Sequence, residues 1–282
     1  MTGSGLDGEL LPALGLSQGA IAFSRKRRNM NHAKTNKDQS GKAGESFLST
    51  KDIPPRERLI FALDVSSIDE AKALVEQLDD SVMFYKLGLQ LFMAGGYFEF
   101  IEWLRERGKI VFVDLKFFDV PQTVKSAVMQ LKNRGVYFVT VHGNDKILEA
   151  AVEHKNGLKI LAVTVLTSLD ESDLKDLGFQ CNVEELVYSR AKRALKIGCD
   201  GVISSGLEAP RLRRDIGEQF LIVAPGIRPV KNVDDQKRTV DVKKAFLNGA
   251  DYIVVGRPIR EAKDPHKAAE DIQKMIGSLF IR

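Results

Sequence analysis

The sequence predicts an α/β chain folded as a single (β/α)8 TIM barrel behind an N-terminal extension. Three observations predict it. From Arg58 onward, short apolar runs alternate with segments of helical periodicity, and the pair repeats eight times. The runs are apolar throughout rather than alternating, as suits parallel strands covered on both faces. Polar and charged residues gather where the runs end, which is where such a barrel keeps its chemistry. A doubly wound open sheet is the competing architecture, but it normally announces a glycine-rich first turn, and "ALDVSS" has none. The length of 282 residues accommodates one barrel of ~250 residues plus an extension.

The elements follow in order. "RLIFALDV" is a strand ending at Asp64, and "SSIDEAKALVEQLDD" is a helix capped by Ser66 or Ser67. "VMFYKLG" is the second strand, and "EFIEWLRERG" a helix stopped by Gly108. "KIVFVDLK" and "VPQTVKSAVMQLKNRG" form the third unit, "VYFVTVHG" and "KILEAAVEHKNG" the fourth. The fifth strand, "LKILAVTVLTS", is followed by a loop and the helix "NVEELVYSRAKRALKIG". "CDGVISSG" with "EAPRLRRDIG" and "QFLIVAPGIRP" with "DVKKAFLNGA" are the sixth and seventh units. "DYIVVGRPI" and "PHKAAEDIQKMIGSLF" close the series.

Residues 1–55 are expected to be a disordered N-terminal extension and residues 56–282 the barrel. "GELLPALGLSQGAIAF" is apolar but too short to span a bilayer. The basic "SRKRR" follows it, whereas a signal peptide carries its positive charge first, so no membrane is invoked. "NMNHAKTNKDQSGKAGESFLST" is polar and aperiodic. The whole chain carries 42 basic and 38 acidic residues, a net charge of +4 that gives no reason to invoke nucleic acid. Cys181 and Cys199 form neither a CxxC pair nor a disulfide framework, which points to a reduced, cytoplasmic setting.

The strand ends carry Asp64, Lys86, Asp114, Lys116, His142, Thr167, Ser168, Arg228, Gly256 and Arg257, with Asp119 opening the loop after the third strand. Charges at most of the strand ends point to one polar site. Side chains two apart on a strand face the same way, so Asp114 and Lys116 should project together, with Lys86 approaching from the neighbouring strand. Alternating acids and bases would hold each lysine charged and in place. A structural ion network has the same signature. "APGIRP" and "VVGRPI" place glycines and arginines after the seventh and eighth strands, where such barrels commonly bind phosphate, although glycines there also make ordinary tight turns. His142 reads as packing in preference to catalysis. No HExxH or Cys/His cluster signals a zinc site.

From about Arg58 to Phe280 the chain resembles the orotidine 5'-phosphate decarboxylase family. "DLKFFDVPQT" matches the family's Asp-x-Lys-x-x-Asp-x-Pro pattern, and "ALDV", "YKLG", "TVLTS", "PGIRP", "DDQKR" and "GRPI" match further blocks in the family's order. The resemblance implies decarboxylation of orotidine 5'-phosphate to UMP and CO2, with no metal and no cofactor. It implies a charged catalytic array of Lys86, Asp114, Lys116 and Asp119, with Lys116 the proton donor. Asp64 and Lys86 would bind ribose hydroxyls and Thr167 the pyrimidine. Gln236, Gly256 and Arg257 would bind phosphate, with Arg228 nearby in a mobile loop. It also implies a homodimer in which Asp119 and Thr123 serve the partner's site. Two rival readings remain. One is a Mg2+-dependent decarboxylase or aldolase of keto-sugar phosphates from the same superfamily, which would place an acidic ligand where Lys86 stands. The other is a non-catalytic nucleotide-binding barrel.

Overall fold

The computed structural model describes residues 46–228 and 239–280. Eight parallel strands close into a barrel in sequence order. They are β1 (Leu59–Leu63), β2 (Phe84–Gly88), β3 (Ile110–Phe117), β4 (Val136–Val141), β5 (Lys159–Val163), β6 (Gly201–Ile203), β7 (Leu221–Ala224) and β8 (Tyr252–Val255). The connecting helices are α1 (Ile68–Leu78), α2 (Leu89–Met93), α3 (Tyr97–Glu106), α4 (Pro121–Gln130), α5 (Asp145–Glu153), α6 (Glu171–Asp176), α7 (Val183–Ile197), α8 (Ala209–Ile216), α9 (Val242–Leu247), α10 (Arg257–Arg260) and α11 (Pro265–Phe280). The expected eight β-then-α units are all present. The short helices α2, α6 and α10 are additional, each too brief to leave a clear helical period.

Local chemistry sets the helix ends. The Ser67 side chain accepts from the Glu70 amide at the start of α1. Asn182 and Glu185 form a reciprocal capping box on α7, which ends at the left-handed Gly198. Pro121 opens α4, where its missing N–H costs nothing and its fixed φ favours the first turn.

The strands read as solid apolar runs because each packs both ways. Leu59, Phe61 and Leu63 of β1 join the outer core beneath the helices, while Ile60 and Ala62 join the core inside the barrel. That inner core is plugged by Phe84, Phe112, Phe138 and Tyr252. Phe138 stacks on Phe84 at 5.3 Å between ring centroids and meets Tyr252 edge-on at 5.2 Å. The barrel floor is therefore apolar and filled. Continuing the inward parity by two residues carries five of the strands from the plug to the polar layer above it: Ala62 to Asp64, Phe84 to Lys86, Phe112 to Asp114, Phe138 to Thr140, Val254 to Gly256.

The expected boundary at residue 55 needs correction at its inner edge. Residues 46–55 pack on the barrel, and residues 1–45 lie outside the described region. The Phe47 amide donates to the Leu247 carbonyl at 2.9 Å. Ser49 Oγ donates to Asp251 Oδ1 at 2.6 Å, and Lys51 Nζ lies 3.0 Å from the same oxygen. Asp251 is fully buried before β8, held on its other side by Arg213 Nη2 at 2.6 Å and the Ile222 amide at 2.9 Å. A buried carboxylate needs such partners, and part of the supply comes from a segment with no periodicity of its own. Burial pulls the Lys51 ammonium below the usual lysine range, and Asp251 opposes that pull.

A chain beginning at Asp52 is accordingly expected to melt about 4–8 °C below one beginning at Ser46, from the loss of roughly 2 kcal/mol of charge-assisted bonding. Turnover should be equal in the two, because the network lies at the end of the barrel opposite the polar mouth. Equal melting temperatures in calorimetry would show that Asp251 is satisfied without the segment.

Candidate active site

A cavity of about 270 Å3 opens at the C-terminal ends of the strands. Asp64, Lys86, Asp114, Lys116, Arg228, Gly256 and Arg257 line it. Thr167 and Ser168 also border it, and Ala62, Phe112, Val163, Val165, Leu166, Ile203 and Val254 supply the apolar surface between. Their strand-end positions account for the gathering, since the inward parity of β1, β2, β3 and β8 ends at this mouth.

The charged residues form a continuous row. Lys86 Nζ sits 3.1 Å from Asp64 Oδ1 and 3.3 Å from Asp114 Oδ2. Lys116 Nζ sits 2.9 Å from the other Asp114 oxygen. Lys86 and Asp114 are buried, whereas Lys116 is only partly so. Burial works against the charge on Lys86, but Asp114 and then Asp64 outweigh it and hold the ammonium above the usual lysine range. Burial likewise pushes the Asp114 carboxyl upward, and Lys86 and Lys116 outweigh it and hold the group below the usual carboxylate range. Lys86 and Asp114 thus hold each other charged although both are buried. Fixed charges act most strongly on a reacting group in such a place.

Residues 57–272 match the Orotidine 5'-phosphate decarboxylase / HUMPS family. The orotidine 5'-phosphate decarboxylase of Methylococcus capsulatus is 62% identical over 83% of this chain and 98% of its own length. That of Xanthomonas axonopodis pv. citri is 52% identical over 82% of this chain and 96% of its own. The chain belongs to this decarboxylase family. Among solved structures, orotidine 5'-phosphate decarboxylase from Lactobacillus acidophilus superposes with a TM-score of 0.70 at 36% identity, covering 78% of this chain and 99% of that one.

With the family established, the expected site residues can be placed one by one. Asp64, Lys86, Asp114, Lys116, Thr167, Arg228, Gly256 and Arg257 all line the one cavity. Asp119 and Thr123 do not. Both are exposed on the rim after β3, where Asp119 Oδ1 accepts from the Val120 amide. Leu89, Met93, Phe118 and Val120 are also exposed on the segments that follow β2 and β3. Gln236, and with it the part of the expected mobile loop beyond Arg228, lies outside the described residues. His142 stands apart, in a neighbouring cavity of about 360 Å3 with Phe118 and Arg190. Its ring meets Phe118 edge-on at 5.2 Å, which fits the packing role. Burial, then Arg190 and Lys116, hold its imidazole below the usual histidine range.

Asp114 and Lys116 project together as expected, 2.9 Å apart in one cavity, but plain strand alternation is not the whole reason. Asp114 follows the inward parity of β3. Lys116 does not sit on a regular strand, since its φ is +48°, in the left-handed region that a residue with a β-carbon rarely enters.

Two contributors were missed by sequence reasoning. One is Gly88, where a β-carbon would come within 3.0 Å of Asp64 Oδ1 and 3.3 Å of Lys86 Nζ, so that glycine leaves room for the ion pair. A glycine two residues after the second strand's charged residue, at the strand's end, was the available signal. The other is Thr140, a fully buried residue whose hydroxyl donates to Asp114 Oδ1 at 2.9 Å. It lies inside a run of β-branched and aromatic residues, "VYFVTV", and nothing there marks it as more than a strand former.

Proposed function

We propose that this chain decarboxylates orotidine 5'-phosphate to UMP and CO2, the last step of de novo pyrimidine synthesis, in the cytoplasm and without a metal ion or organic cofactor. The observation that carries the reading is the pair of lysines clamped on one buried carboxylate in a cavity that Arg228 and Arg257 also line. In this reading Arg228, Arg257 and the Gly256 backbone hold the phosphate, with Gln236 joining them. Asp64 and Lys86 bind the ribose hydroxyls, and Thr167 contacts the pyrimidine.

Losing CO2 from C6 of orotate leaves the bonding electron pair in an sp2 orbital with no adjacent electron sink. Stabilisation must therefore come from fixed charge. Lys116 supplies an ammonium beside C6. As the C6–CO2 bond breaks, its field favours the carbanion, and its proton then passes to C6, to be replaced from water. Asp114 stands beside the departing carboxylate and aims the ammonium. Because the ion pairs of the row are already formed without substrate, little reorganisation accompanies the reaction.

The metal-free reading is supported by Lys86, whose ammonium lies between Asp64 and Asp114 where a divalent cation would otherwise join two carboxylates. The homodimeric reading is supported by Asp119 and Thr123, which are exposed and do not line their own chain's cavity, and by the exposed apolar residues beside them. The partner's Asp119 would complete the row at Lys116.

Turnover of orotidine 5'-phosphate by the purified chain, measured with and without EDTA, tests the proposal. CO2 release at equal rates in both is expected. Release abolished by EDTA would favour the Mg2+-dependent barrel reading. No release in either, with UMP still bound, would favour the non-catalytic nucleotide-binding barrel.

A further inference from the structure

The third strand reaches the site by an irregular route. Val113 pairs with Val139 and Phe117 with Val141, so Asp114, Leu115 and Lys116 stand opposite Thr140 alone. Such a bulge bends the strand and re-aims the side chains it carries. Here it leaves Lys116 in left-handed backbone, with φ +48°. A non-glycine residue stays in that conformation only when its surroundings fix it.

Thr140 provides what fixes it. The Lys116 amide donates to Thr140 Oγ1 at 2.9 Å. A hydroxyl that accepts from an amide turns its own proton elsewhere, and Asp114 Oδ1 lies 2.9 Å away to receive it. Lys116 Nζ donates to the same carboxylate oxygen at 2.9 Å. The contacts close a ring that runs from the Lys116 backbone through one hydroxyl and one carboxylate to the Lys116 ammonium. Thr140 is wholly buried, so water cannot take over either bond.

We propose that Thr140 is a positioning residue of the catalytic row, fixing the backbone that aims Lys116 and orienting the Asp114 carboxylate between its two lysines. The inference rests on the decarboxylase reading for its effect on turnover, but its structural part stands separately. The groups facing Asp114 are Lys86 from β2, Lys116 from its own strand and the Thr140 hydroxyl from β4, with Asp64 beyond Lys86 and the Tyr97 hydroxyl of α3 close enough to feel its charge. Removing the hydroxyl deprives only the ionised carboxylate of a donor, so protonation of Asp114 becomes easier.

Thr140→Val keeps the shape of the side chain and deletes both bonds. Its kcat is expected to fall about 30–100-fold, as for loss of hydrogen bonding to a charged group, with KM within about threefold. The acid limb of its kcat/KM profile should move to higher pH. Thr140→Ser keeps the hydroxyl and should retain kcat within about fivefold of wild type. Crystals of Thr140→Val should show Lys116 relaxed to negative φ, and those of Thr140→Ser should not. If the valine variant does not fold, Thr140→Ala takes its place in the comparison with serine. Equal losses in the serine variant and the hydroxyl-free variant, or an unchanged left-handed Lys116 without the hydroxyl, would overturn the proposal. A wild-type chain that releases no CO2 would overturn the decarboxylase reading instead, and the Lys116 backbone would still decide the role of Thr140.

Discussion

Replacing Lys116 with alanine is expected to leave a folded protein that releases CO2 from orotidine 5'-phosphate at least ~10^3-fold more slowly than wild type, a loss of three or more steps of about 1.4 kcal/mol each. The side chain has two tasks in the proposed reaction, stabilising charge at C6 and delivering the proton, and no neighbour can take over both. Lys86 is already held between Asp64 and Asp114 at 3.1 and 3.3 Å. The fold should tolerate the change, because the lysine is partly exposed and Asp114 keeps both Lys86 and the Thr140 hydroxyl as partners. The melting temperature should therefore stay within about 4 °C, equivalent to roughly 1 kcal/mol. Loss of Lys116 also removes one of the two cations that depress the Asp114 carboxyl, so that group should titrate higher in the variant. Single-turnover CO2 release, with UMP binding as a check on the site, measures the outcome. A variant within tenfold of wild type would remove Lys116 from the role of proton donor.

An inactive Lys116→Ala chain mixed with an inactive Asp119→Ala chain should recover activity, to about 25% of wild type if subunits exchange at random in a two-fold dimer. Half the dimers are then mixed, and each mixed dimer holds one site with both groups intact and one site lacking both. The expectation follows from where β3 leaves its residues. Asp114 and Lys116 line the cavity of their own chain, and Asp119 is exposed on the rim. Pro121 starts α4 two residues later and turns the chain away from the mouth. Native mass spectrometry of the mixture would prove exchange. Mixed dimers without turnover would mean that each site is built from a single chain.

Much of this protein was legible in its sequence because much of it depends on local pattern. Eight apolar runs, each short and each followed by a helical period, describe parallel strands buried on both faces wherever they lie in space. The inward parity of a strand is also local: once Ile60 and Ala62 line the barrel, Asp64 must point to the mouth. That is why Asp64, Lys86, Asp114 and Gly256 are legible as one site, while Arg228 and Arg257 follow from their places just beyond the seventh and eighth strands. What only the tertiary structure decided depends on pairings between distant residues. The bulge of β3 exists only against β4, across a register in which three residues meet Thr140, and no property of "VDLKFF" alone determines it. Gly88 matters only because the Asp64–Lys86 pair occupies the space its side chain would need. Residues 46–51 look like tail because they lack periodicity, yet Ser49 and Lys51 answer a carboxylate about 200 positions away in the chain. Pattern along the chain determines which face a residue presents. Register between strands and the needs of buried charge determine which groups finally meet, and those depend on the closed barrel as a whole.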